Sequence, residues 1–144
     1  MKTELLSEIL SKSVENTENI GKSFADQLDK GDFVALVGDL GAGKTAFVRG
    51  MASLLTPKAQ VCSPTYAIVN EYIGDELRLC HFDIYRLADA DDLESVGFYD
   101  YKDCVMAVEW CDKIKEALPD VYYLVTILGS GDETRKIRIE KNFN

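Results

Sequence analysis

The sequence predicts an α/β fold: a mixed, mostly parallel central sheet flanked by helices, with antiparallel hairpins attached. Three observations lead there. Residues 33–37 and 105–108 are apolar runs without alternation, the pattern of strands buried on both faces of a parallel sheet. A glycine-rich segment follows the first run directly and passes into a stretch with helical periodicity. Two pairs of segments, 67–73 with 77–83 and 121–128 with 135–140, are each joined by a short loop containing glycine, as hairpins are.

Taken in order, residues 5–11 alternate weakly and read as an edge strand. Asn16 reads as an N-cap, and Ile20, Phe24 and Leu28 at i, i+4, i+8 give one apolar face of an amphipathic helix that Gly31-Asp32 ends. The first buried strand follows. Residues 46–55 then read as a helix with Val48, Met51, Ala52 and Leu55 on one side, stopped by Thr56-Pro57. Ser63-Pro64-Thr65 is expected to be extended, because a proline pushes the residue before it out of helical geometry. After the first hairpin, which turns through Gly74-Asp75-Glu76, residues 90–96 form a short helix behind Asp89, with an acidic first turn. The second buried run leads into Glu109, and the closing hairpin turns through Gly129-Ser130-Gly131-Asp132.

A length of 144 residues, 47% of them apolar, suits a single domain spanning 1–144. Sixteen basic against twenty-five acidic side chains leave a net charge of −9. Such a surface repels phosphate backbones and argues against a direct, tight nucleic-acid binder. Cys62, Cys80, Cys104 and Cys111 contain no C-x-x-C pair, and His81 is the only histidine, so no zinc site is expected. No signal pattern and no membrane-length apolar run is visible, and a cytoplasmic protein with reduced thiols is expected.

The segment Gly38-Asp39-Leu40-Gly41-Ala42-Gly43-Lys44-Thr45 satisfies G-x-x-x-x-G-K-[ST] in full, between a buried strand and a helix. The glycines let the main chain curl so that successive N–H groups point at phosphate oxygens. The helix opening at Lys44 and Ala46 adds its unsatisfied N–H groups and positive dipole end. Lys44 is expected to bridge the β- and γ-phosphates and Thr45 to coordinate magnesium. The fold is thus narrowed to a P-loop NTPase-like domain, with ATP and Mg²⁺ as cofactors.

Phosphoryl transfer also needs a carboxylate at a strand end. Glu109 follows four apolar residues and Asp83 follows Leu79-Cys80-His81-Phe82. Position alone does not choose between them. Glu109 is favoured as metal ligand, beside Thr45, and Asp83 as an orienter of magnesium-bound water or of Lys44. Thr65 is a candidate switch residue for the γ-phosphate or the metal, with a plain turn threonine as the alternative. His81 shares a strand face with Asp83 and reads as either a packed, hydrogen-bonded ring or a base. N-K-x-D and D-x-x-G, the guanine and γ-phosphate signatures of GTPases, are both missing, which favours adenine. A small-molecule kinase would need a lid rich in arginine, whereas this chain has five arginines and no lid-sized insertion. An ATP-dependent interaction module without essential hydrolysis stays open as a third reading.

Several motifs together resemble the TsaE (YjeE) family. They are the phosphate loop with Phe47-Val48-Arg49-Gly50, Ser63-Pro64-Thr65-Tyr66, and His81-Phe82-Asp83-Ile84-Tyr85-Arg86-Leu87. Gly97 with Asp100-Tyr101 and Val108-Glu109-Trp110 complete the set, in the family's order. Ala46 departs from it, standing where many members have a second threonine. The resemblance implies an ATPase needed to make threonylcarbamoyladenosine in ANN-decoding tRNAs, working with TsaB and TsaD and meeting tRNA indirectly through that complex. It also implies Thr45 and Glu109 as metal ligands, Asp83 at the nucleotide–metal centre, and Arg135 approaching the nucleotide. The segment just before the first helix, around Val14 to Thr17, is expected near the adenine. Trp110, the only tryptophan, adjoins Glu109 and reads as a reporter of nucleotide or as a packing residue.

Overall fold

The computed structural model describes residues 2–39, 43–65, 67–129 and 132–143. Among these, seven strands form one sheet in the order β1-β7-β6-β2-β5-β4-β3. They are β1 (Lys2–Ser11), β2 (Phe33–Gly38), β3 (Val69–Ile73), β4 (Arg78–Asp83), β5 (Val105–Glu109), β6 (Tyr122–Gly129) and β7 (Arg135–Phe143). The central strands β6, β2, β5 and β4 run parallel. Antiparallel pairings add β3 at one margin, and β7 followed by β1 at the other. This is the mixed sheet with a parallel centre that the apolar runs predict. Val34 and Leu36 of β2 feed one core and Phe33 and Ala35 the other, so the strand has no face for polar side chains.

Helices α1 (Val14–Ala25) and α2 (Lys44–Leu55) cover the first face, with Phe24, Phe47, Val48 and Met51 in the same cluster as Val34, Leu36 and Val125. Helix α3 (Ala90–Ser95) and several short turns cover the second, bringing Leu93 and Phe98 to Phe82 and Val108. No helix among the described residues is long and apolar enough to cross a membrane.

The two long helices meet backbone to backbone. A Cβ on Gly50 would stand 1.9 Å from the carbonyl oxygen of Glu18, and one on Gly21 would stand 2.2 Å from that of Phe47. Any side chain at either crossing point would force the helices apart. Alongside, Arg49 reaches Glu18 at 2.8 Å, an exposed ion pair of small energetic weight.

Three local expectations are corrected. The N-cap of α1 is Ser13, not Asn16: the Ser13 hydroxyl accepts from the Asn16 N–H, and Asn16 Oδ1 accepts from the Lys12 N–H. Both side chains thus serve the start of the helix, with Asn16 at its third helical position reaching back past the cap to the residue before it. The helix also ends at Ala25 rather than at Gly31-Asp32. The N–H groups of Gln27 and Leu28 bond three residues back, to Phe24 and Ala25, and this tightening carries Leu28 into the core although it lies outside the helix. Finally, Thr65 sits in a turn rather than in extended chain, and the Ile68 N–H reaches back 2.7 Å to the Pro64 carbonyl.

Candidate active site

The carboxyl ends of the parallel strands share one margin of the sheet, where open α/β sheets hold their ligands. Register sets Gly38 opposite Ile127, Leu36 opposite Glu109, and Glu109 opposite Asp83. The antiparallel strands meet the same margin: β7 begins there with Arg135 opposite Gly129, and β1 ends there with Ser11 opposite Arg135. Residues far apart in sequence, from Ser11 to Arg135, are therefore gathered along one edge.

Of the glycine-rich segment, Gly38, Asp39, Gly43, Lys44, Thr45 and Ala46 are described, while Leu40, Gly41 and Ala42 lie outside the described residues, as do Tyr66, Ser130 and Gly131. Gly43 caps α2 at φ 106°, a left-handed conformation that glycine adopts without steric cost. It has no side chain to offer the helix. In contrast, α1 and α3 begin with Ser13 and Asp89, whose side chains accept from backbone N–H groups. The first turn of α2 holds no acidic residue either. Its amino end is thus chemically suited to an anion.

Lys44 is buried, and its Nζ donates to the Gly38 carbonyl at 3.1 Å while lying 3.9 Å from the centre of the Trp110 ring. Trp110 follows Glu109 with φ 69° and packs against Tyr85 in a tilted contact, 4.9 Å between ring centres. Thr45 is half-buried in the same turn of helix and Ala46 is buried.

Both strand-end acids are buried and each is held by different groups. Asp83 Oδ2 accepts from the Thr65 hydroxyl at 3.1 Å, and Oδ1 accepts from the Tyr85 N–H at 3.0 Å. Thr65 in turn shares a 2.6 Å hydrogen bond with Ser63. Glu109 Oε2 lies 2.6 Å from Nε2 of the fully buried His81. His81 is therefore a packed, hydrogen-bonded ring, one of the two alternatives its sequence position leaves open.

Thr17 closes the segment expected near the adenine, but sequence reasoning gave it no contacts of its own. Its methyl group and Arg135 Nε each lie 3.9 Å from the point a Cβ on Gly43 would occupy, and its hydroxyl bonds Ser11 at 2.7 Å. It is a buried polar residue on the amphipathic face of α1, a signal that polarity alone hides. Val14 lies three residues earlier and is 52% exposed; it opens α1 rather than preceding it, which corrects the expected placement of that segment. On the second face of the sheet, hydrogen bonding to Cys104 and burial push the Cys80 thiol far up, and the same hydrogen bond lowers Cys104. Neither side chain is at the margin described above.

The family model described as "Threonylcarbamoyl adenosine biosynthesis protein TsaE" matches residues 11–137. The tRNA threonylcarbamoyladenosine biosynthesis protein TsaE of Haemophilus influenzae is 41% identical over 126 residues, covering 83% of this chain and 79% of that one. Its counterpart in Aquifex aeolicus is 38% identical over 138 residues, covering 94% and 97%. A crystal structure of YdiB from Bacillus subtilis superposes with a TM-score of 0.79 at 31% identity, covering 97% of this chain and 87% of that one.

Proposed function

Because the chain belongs to the TsaE family of threonylcarbamoyl adenosine biosynthesis proteins, we propose that it is the ATP-binding and ATP-hydrolysing subunit of a tRNA-modifying assembly. The modification is threonylcarbamoylation of adenosine in ANN-decoding tRNAs, carried out in the cytoplasm with TsaB and TsaD, which present the tRNA. The observation that carries this reading is the uncapped amino end of α2, with Lys44 in its first turn and Asp83 and Glu109 on the same sheet margin.

The residues at that margin fit Mg·ATP. Backbone N–H groups and the Lys44 ammonium neutralise the β- and γ-phosphates. The Thr45 hydroxyl and a Glu109 oxygen are the hard oxygen donors that magnesium prefers. When bound, magnesium offsets the negative charge that builds on the phosphate oxygens as the anhydride breaks. Both Asp83 oxygens already accept hydrogen bonds, whereas among the described residues Glu109 has such a bond on Oε2 alone. That asymmetry favours Glu109 as the direct ligand and Asp83 as the orienter of metal-bound water. Thr65 then acts as a switch, exchanging its bond to Asp83 for one to the nucleotide. Arg135, beside Gly43, supplies positive charge from the closing hairpin, and the Val14 turn of α1 flanks the adenine.

Calorimetry with Mg·ATP tests the nucleotide half of the reading. Binding is expected, and Lys44→Ala is expected to weaken it by roughly ten- to a hundredfold, the weight of one hydrogen bond to a charged group. No heat from the unaltered chain would overturn the proposal. The partnership is tested separately: phosphate release should rise when TsaB and TsaD are added, and a rate that stays flat at saturation counts against it.

A further inference from the structure

The buried contact between His81 and Glu109 supports an inference that rests on the ATPase reading and deepens it. His81 of β4 stands opposite Ala107 of β5, and Glu109 lies two residues further along the same face. The small methyl of Ala107 leaves room for the ring to lean across to the carboxylate, 2.6 Å from Nε2 to Oε2. Leu79, Val105 and Ala107 on this face belong to the apolar core. An aliphatic side chain would pack there without the cost of burying a polar ring. Nδ1 moreover finds no hydrogen-bond partner among the described residues. A buried N–H is rarely left unpaired, less often than an acceptor. The proton therefore sits on Nε2, which donates to Glu109, and Nδ1 is the bare nitrogen.

We propose that His81 is a positioning residue: its Nε2–H holds Oε2 of Glu109 and thereby turns Oε1 toward the magnesium site, without touching nucleotide or metal itself. Groups of this kind govern ligand orientation, and their loss costs about ten- to a hundredfold in metal affinity or activity.

His81 is the only histidine in the chain, so its imidazole can be read without assignment. In nucleotide-free, ¹⁵N-labelled protein, the long-range ¹H–¹⁵N spectrum is expected to show the Nε2–H tautomer, and Glu109→Gln to shift the Nε2 resonance. An Nδ1–H tautomer, or a ring indifferent to Glu109→Gln, would overturn the proposal with no ATP involved. In kinetics, His81→Leu is expected to raise the magnesium concentration for half-maximal hydrolysis by about tenfold or more, with affinity for ATP within about twofold. His81→Gln, whose amide can place an N–H where Nε2 lies, is expected to recover most of that loss. Equal losses in both variants, with equal falls in thermal midpoint, would reduce His81 to a packing role. A chain that hydrolyses ATP equally well with His81→Leu overturns this inference alone; an unaltered chain that takes up no Mg·ATP overturns the ATPase reading and this one with it.

Discussion

The Lys44 side chain rests on groups of its own protein, the Gly38 carbonyl and the face of Trp110. A cation on an indole face is held by about 0.5–2 kcal/mol, less than a triphosphate offers through charge-assisted hydrogen bonds. Mg·ATP is therefore expected to draw the ammonium off the ring and change the emission of the only tryptophan. Lys44→Ala should abolish the response and also alter the spectrum of the nucleotide-free chain. A silent Trp110 at saturating nucleotide would place the lysine elsewhere. The placement of Lys44 and Thr45 in the first turn of α2 was legible in the sequence because the pattern that places them is local. The contacts of Lys44 with Trp110 and of His81 with Glu109 were not, since they arise from the register of strands separated by dozens of residues.

Among the elements, β2 and β5 of the parallel centre were the most legible, because an unbroken apolar run has no polar face to misplace. Helix α1 was read correctly in kind and wrongly at both ends. Asn16 has the residue type of an N-cap, but Ser13 three residues earlier takes that position, and the Asn16 side chain instead holds the Lys12 N–H just outside the helix. Leu28 continued the helical spacing by burial alone. The crossing of α1 and α2 depends on Gly50, where an added methyl meets the Glu18 carbonyl at 1.9 Å. Gly50→Ala is expected to destabilise the fold by roughly 1–3 kcal/mol, the usual cost of overpacking. At about 2–4 °C per kcal/mol for a chain of this size, thermal melting should fall by roughly 2–12 °C. An unchanged midpoint would mean that the helices can part without penalty.

For the whole molecule, the sequence carried class and pairing type but not strand order. Hairpins declare themselves by proximity, whereas the insertion of β2 between β6 and β5 follows from the packing of both faces at once. Charge operates at this scale too. With a net charge of −9, the isolated chain is expected to leave tRNA unshifted in a gel at about 0.15 M salt, where screening acts beyond about 8 Å. Retention of tRNA at micromolar protein would demand a local basic surface and weaken the proposed division of labour with TsaB and TsaD. The contact of α1 with α2 also bears on motion. Side chains between helices normally form a compliant layer that absorbs small displacements, and at Gly21 and Gly50 that cushion is missing. A slight rotation of α2 as its amino end meets an anion would pass undamped into α1, and through the bond from Thr17 to Ser11 into the outermost strand.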